Sequence, residues 1–175
     1  IVPAGTRAHF KQLLDGRLHK AIVEKEEGVV KKKENLAKKI KITDGIVVFP
    51  DGITEIECGM FSGRSKVVGV VIPSSVTRIG KEAFMEFKNL KSIIIPDSVT
   101  EIGECAFAKC KSLESIALPA SLTKIGNSAF SGCDGFDGGI TIPEGVITIG
   151  DNAFYNCTAF TGALTIPNSV TSIGN

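Results

Sequence analysis

The sequence predicts a mostly β solenoid, a column of short stacked coils that share one core. Three observations carry this reading. Six prolines, Pro50, Pro73, Pro96, Pro119, Pro143 and Pro167, are spaced 23, 23, 23, 24 and 24 residues apart. Self-similarity at a fixed period of roughly 20–50 residues is the signature of stacked repeats. The same apolar positions return around each proline. No unit of this length can bury its own Ile, Phe and Leu, so neighbouring units must bury them for one another.

Each element follows from the spacing. With the proline as zero, positions −3 and −1 are apolar in every unit: Val47 and Phe49, Val70 and Ile72, Ile93 and Ile95, Ile116 and Leu118, Ile140 and Ile142, Leu164 and Ile166. Alternation with a period of two marks a strand with one buried face. The β-branched bias agrees, and the proline, which has no N–H to give, ends the strand. Segments such as TEI, TRI and TKI then read as a second extended piece that ends in isoleucine at +6 in all six units: Ile56, Ile79, Ile102, Ile125, Ile149 and Ile173. Glycine follows at +7 from Gly80 onward, where a φ that other residues resist is expected. Stretches such as KEAFMEF and ECAFAKC come next, with phenylalanine at +11: Phe61, Phe84, Phe107, Phe130 and Phe154. They predict a short helical or 3₁₀ turn and a stacked aromatic column. In the two 24-residue units the extra residue precedes the strand, so it falls in a turn and leaves the core register intact.

The motif IPSSVTRIGKEAF, which returns as IPDSVTEIGECAF, LPASLTKIGNSAF and IPEGVITIGDNAF, closely resembles the BspA-like leucine-rich repeat family. The resemblance covers residues 46–175, as five full repeats and a truncated sixth. It implies a right-handed, horseshoe-like stack of leucine-rich repeats. It also implies binding or adhesion, often at cell surfaces, and no catalysis. The first unit departs from the motif, with Glu57 for the +7 glycine, Met60 for alanine and Arg64 for cysteine, as a terminal, capping-like repeat does.

Residues 1–45 are different. They hold eleven Lys and Arg against six Asp and Glu, a net of +5, and residues 46–175 have a net of −4. Phe10, Leu13 and Leu14 share a helical face, with Thr6 as N-cap and Gly16 as stop. A second helix is expected near 31–41. Together they predict a partly helical N-terminal cap that covers a strand edge and an apolar cross-section. The lysine run KKKENLAKKIK has no interleaved aromatics, which argues against nucleic acid as a partner. It reads as the solvated face of the cap. No apolar run is long enough to span a membrane.

Cys110, Cys133 and Cys157 recur at +14. Their side chains point the same way in a ladder, and no histidine recurs beside them, so they read as small buried hydrophobes rather than as a disulfide or a zinc site. His9 and His19 both lie before the repeats. No catalytic constellation, metal site or cofactor site is expected. Asn156-Cys157-Thr158 matches a glycosylation sequon, with a middle residue expected in the core.

Two ladders face outward. Position −2 reads Val48, Val71, Ile94 and Ala117, then Thr141 and Thr165. Large apolar side chains on a face that ought to be wet mark Val48, Val71, Ile94 and Ala117 as candidate partner-binding residues. Position +5 reads Glu55, Arg78, Glu101 and Lys124, opposite charges that should pair between coils. The functional expectation is a non-enzymatic module, at the cell surface or secreted, that presents a sheet face to another protein or a surface glycan. The alternative is an assembly subunit of a larger intracellular or organellar complex, docking through its basic cap or its open C-terminal repeat edge.

Overall fold

A computed structural model of the chain describes residues 40–50, 52–57, 66–137 and 139–175. The expected cap helices and most of the first repeat's departures from the motif lie outside the described residues. Ile40–Asn175 form one compact unit.

The strands of the repeat unit are short: β1 (Lys41–Thr43), β2 (Ile46–Val48), β3 (Glu55–Ile56), β4 (Gly69–Val71), β5 (Arg78–Ile79), β6 (Ser92–Ile94), β7 (Glu101–Ile102), β8 (Ser115–Ala117), β9 (Lys124–Ile125), β10 (Thr148–Ile149) and β11 (Ser172–Ile173). The strands form two sheets, parallel from coil to coil. The first sheet has the order β1-β2-β4-β6-β8 and is built from the segments before the prolines. The second has the order β3-β5-β7-β9-β10-β11 and is built from the segments that end at +6. Register is strict. Val47, Val70, Ile93 and Ile116 lie side by side in the first sheet, as Ile56, Ile79, Ile102 and Ile125 do in the second. The architecture is the β-solenoid that the repeat period demands.

Strand β1 has no counterpart in the repeat. It folds back on β2 as an antiparallel hairpin, pairing Lys41 with Val48 and Thr43 with Ile46. Asp44 and Gly45 make the turn with φ values of 50° and 78°, the doubly left-handed backbone that favours an Asp-Gly pair between twisted strands. The leading edge of the first sheet is thus covered by a strand of opposite direction, and Lys41 is strand rather than the tail of a helix.

The third side of each coil differs from the expected helical or 3₁₀ turn. Glu82, Cys105, Ser128 and Asn152 at +9 have positive φ, as do Glu86, Lys109 and Asn156 at +13. Such residues interrupt a right-handed helix. Every second amide bonds to the next coil instead. Phe84 donates to the Ala106 carbonyl, Phe107 to Ala129 and Phe130 to Ala153, each at 2.8 Å. Turns within the coil satisfy other amides, for example Ala108 donating to the Cys105 carbonyl at 3.1 Å.

The +7 glycines serve close approach rather than an unusual φ. A Cβ on Gly103 would lie 2.7 Å from the Gly80 carbonyl carbon and 2.8 Å from the Lys81 nitrogen. Coils pass backbone to backbone there, so only glycine fits.

The core is a continuous column inside these three sides. Phe84, Phe107, Phe130 and Phe154 stack with ring centroids 5.2, 5.3 and 5.4 Å apart. Phe87 meets Phe84 edge-on at 5.6 Å from the position that later coils give to cysteine. The extra residue of the 24-residue units leaves Ile140 and Ile142 buried, as expected. It does interrupt the first sheet. Beyond β8 the described residues form only an isolated bridge, Thr141 to Thr165, while the second sheet runs on to β11.

Phe107 is fully buried with a ring stacked on either side. Phe107→Ala should cost about 3–5 kcal/mol and lower Tm by roughly 10 °C in a thermal melt. A Tm within a degree or two of the parent would contradict the column.

Candidate interaction face

The outer face of the first sheet collects the four residues that the sequence singles out. Val48, Val71, Ile94 and Ala117 occupy the last positions of β2, β4, β6 and β8 and are adjacent in register. Their Cβ atoms alternate with those of the buried Val47, Val70 and Ile93, so they point away from the core. Exposure rises along the ladder, to 43% at Val48, 53% at Val71 and 80% at Ile94. Ala117 is exposed as well, and Thr141 and Thr165 continue the row as polar residues.

Two neighbours extend this face. Ile46 begins β2 on the same side as Val48 and is 41% exposed, followed across the strands by Gly69, Ser92 and Ser115. Lys41 lies opposite Val48 on β1 and closes the leading end of the row with a charge. The hairpin that places Lys41 was not read from the sequence, although Asp44-Gly45 between KIT and IVV was a visible signal.

The second sheet carries the charge ladder. Glu101 Oε2 accepts from Arg78 Nε at 3.0 Å, and its Oε1 pairs with Lys124 Nζ at 3.0 Å. Arg78 also pairs with Glu55. Partial burial pushes the Glu101 carboxyl up, but the hydrogen bonds from Lys124 and Arg78 outweigh it and hold the group below its usual range. Further alternating pairs link adjacent coils, Lys81 with Glu104 at 2.8 Å and Lys109 with Glu86 at 3.1 Å. These pairs are exposed, so each contributes well under about 1 kcal/mol. A threonine ladder, which the sequence reading missed, runs beside them. Thr100 and Thr123 each donate a hydroxyl bond to the carbonyl of the preceding coil's threonine, at 3.3 and 3.0 Å.

The +14 thiols are unpaired in the core. Cys110 and Cys133 are buried, and each directs its Sγ to the phenylalanine carbonyl of the coil before, both at 3.1 Å. Burial pushes the Cys110 thiol up to about 12 and raises the Cys133 thiol as well, so neither forms a nucleophilic thiolate near neutral pH. Asn156 of the sequon is exposed, and Cys157 is half-buried. Among the described residues no cluster of His, Cys, Asp and Glu could hold a metal ion, and no helix is long and apolar enough to cross a membrane.

Two sheets, a turn ladder and one apolar column, repeated with this motif, define a leucine-rich repeat solenoid. The family model of the BspA type leucine rich repeat region matches residues 37–138 and 137–175 in 6 copies. The chain belongs to this family. It is similar to a leucine-rich repeat protein from Bacteroides ovatus, with 42% identity, 74% of this chain and 36% of that one covered, and a TM-score of 0.67. It is also similar to a leucine rich cell surface protein from Faecalibacterium prausnitzii, with 35% identity, coverage of 75% and 32%, and a TM-score of 0.63. A leucine-rich repeat protein from Eubacterium ventriosum gives 27% identity, coverage of 81% and 39%, and a TM-score of 0.64. The chain thus spans about a third of the length of these structures. No curated protein matches it.

Two measurements follow. Glu101→Lys sets a third cation between Arg78 and Lys124, and it should destabilise the fold by about 1 kcal/mol at low salt, a loss that shrinks as salt screens it. Insensitivity to salt would contradict an electrostatic ladder. The raised Cys110 thiol also has a sign. Folding holds the proton more tightly than the unfolded chain does, so this contribution is intact below the ordinary value of 9.0 and is lost as pH rises toward about 12. Denaturant melts of Cys110→Ser should show a shallower loss of stability across that window, and an unchanged slope would contradict burial of the thiol.

Proposed function

We propose that the chain is a non-enzymatic binding module whose contact surface is the outer face of the first sheet, centred on Val48, Val71, Ile94 and Ala117. The partner is another protein or a surface glycan. Leucine-rich repeat families are typically interaction modules. The observation that carries the reading is the 80% exposure of Ile94 at the centre of an apolar ladder. Stacking does not require that side chain, since Thr141 and Thr165 hold the same position in later coils. Burying such methyl groups against a partner contributes about 25 cal/mol per Å² before association costs.

The compartment we propose is the cell surface or the exterior. The support is the description of the Faecalibacterium prausnitzii relative as a cell surface protein.

A second reading is an assembly contact through the basic cap or the C-terminal repeat edge. Leu164, Ile166 and Ile173 stand at core positions at that edge and are 40%, 44% and 57% exposed. With Phe154 and Tyr155 they line an open apolar recess, which another polypeptide or a further coil would cover. Such a subunit would work inside an intracellular or organellar complex.

Affinity capture from the native source, quantified against variants, separates the two readings. Ile94→Lys should leave the melting curve nearly intact and reduce captured partner at least tenfold, while Thr141→Lys should change it little. Retained binding in Ile94→Lys, with loss on Ile173→Lys or on neutralising Lys31, Lys32 and Lys33, would move the contact off the sheet.

A further inference from the structure

The size, pitch and end charge of the apolar stripe narrow what it can hold. Ile46, Val48, Val71 and Ile94 together expose on the order of 400 Å², inside the roughly 300–600 Å² of the largest patch on a typical monomer. A stable protein–protein interface buries about 800 Å² on each partner, so a second copy docked face to face would fall well short. A glycan fits poorly for another reason. Its hydroxyls would lose water against methyl groups that offer them no hydrogen bond.

Pitch separates the polypeptide conformations. The stripe runs along the column, one side chain per coil, and parallel strands lie about 4.8 Å apart, so Val48 to Ile94 spans roughly 10 Å. Residues i and i+7 of an α-helix are about 10.5 Å apart along its axis, with i+3 or i+4 between them. Three same-face residues of an extended chain cover roughly 13 Å and drift off the ladder by most of a coil. Beside the stripe, Gly69, Ser92 and Ser115 are small and form a shelf on which a cylinder can rest. Lys41 stands at the leading end, where a cation suits the partial negative charge of a helix C-terminus.

We propose that the stripe receives the apolar face of an α-helix from another polypeptide. The helix lies along the column with i, i+3 or i+4, and i+7 over Val48, Val71 and Ile94, and its C-terminal end is toward Lys41. This rests on the same outer face being the binding face.

A displayed library of random 16-residue peptides, selected on the full chain, tests it, with each recovered peptide then titrated against variants by fluorescence anisotropy. The expected result is a set of sequences with apolar residues at helical spacing. They should weaken at least tenfold on Ile94→Lys and a few-fold on Lys41→Glu. Val71→Ser, a milder change, should weaken them as well and serves if Ile94→Lys does not fold. Recovered peptides with alternating apolar residues that still depend on Ile94 would overturn the helix and leave the face standing. Peptides indifferent to both Ile94→Lys and Val71→Ser would overturn both. Failure to recover any peptide would overturn the helical partner. So would Ile94-dependent self-association in the ultracentrifuge or Ile94-dependent binding on a glycan array.

Discussion

Strict in-register stacking governs this molecule, because it makes each residue meet its own equivalent one coil away. What the equivalent is then decides whether a position can repeat. Phenylalanine on phenylalanine is favourable, and Phe84, Phe107, Phe130 and Phe154 form nearly parallel pairs, with interplanar angles of 17°, 2° and 8°. Glycine on glycine is forced where backbones pass at Gly80 and Gly103. Threonine repeats because its hydroxyl can donate to the carbonyl of the threonine before it. Charge cannot repeat, since like charges directly opposite one another repel. It alternates, from Glu55 to Arg78 to Glu101 to Lys124.

These contacts divide the work by magnitude. A buried phenylalanine is worth several kcal/mol, an exposed ion pair a fraction of one. The column therefore decides whether the chain folds, and the ion pairs bias which coil sits on which. The outer row of the first sheet serves neither purpose. Its apolar members are confined to β2, β4 and β6, with Ala117 on β8, and it turns polar where the first sheet's regular pairing stops. A side chain that the stacking does not need, placed where it must face water, is the basis for assigning this face a partner.

Most of the fold was legible in the sequence because the constraint is periodic. Pro50 to Pro167 set the coil length, positions −3, −1, +6 and +11 gave the core, and the charge ladder at +5 gave the pairing between coils. What escaped was local and set by backbone. The αL residues at Glu82, Cys105 and Ser128 share no side-chain chemistry, so nothing in their identity marked the turns they make. The +7 glycine was legible as required but not for its reason, because close approach depends on a coil 23 residues away. Strand β1 lies outside the period, and its one signal, the Asp44-Gly45 turn, is local rather than periodic. The face was legible as a row of residues. Its neighbours Ile46 and Lys41 became part of it only through strand register.

Amide hydrogen exchange tests the stacking constraint most directly. If stability comes from neighbours, Phe107→Ala should speed exchange at Phe84 and Phe130 in the adjoining coils as well as in its own. Exchange unchanged at Phe84 and Phe130 in that variant would contradict the account.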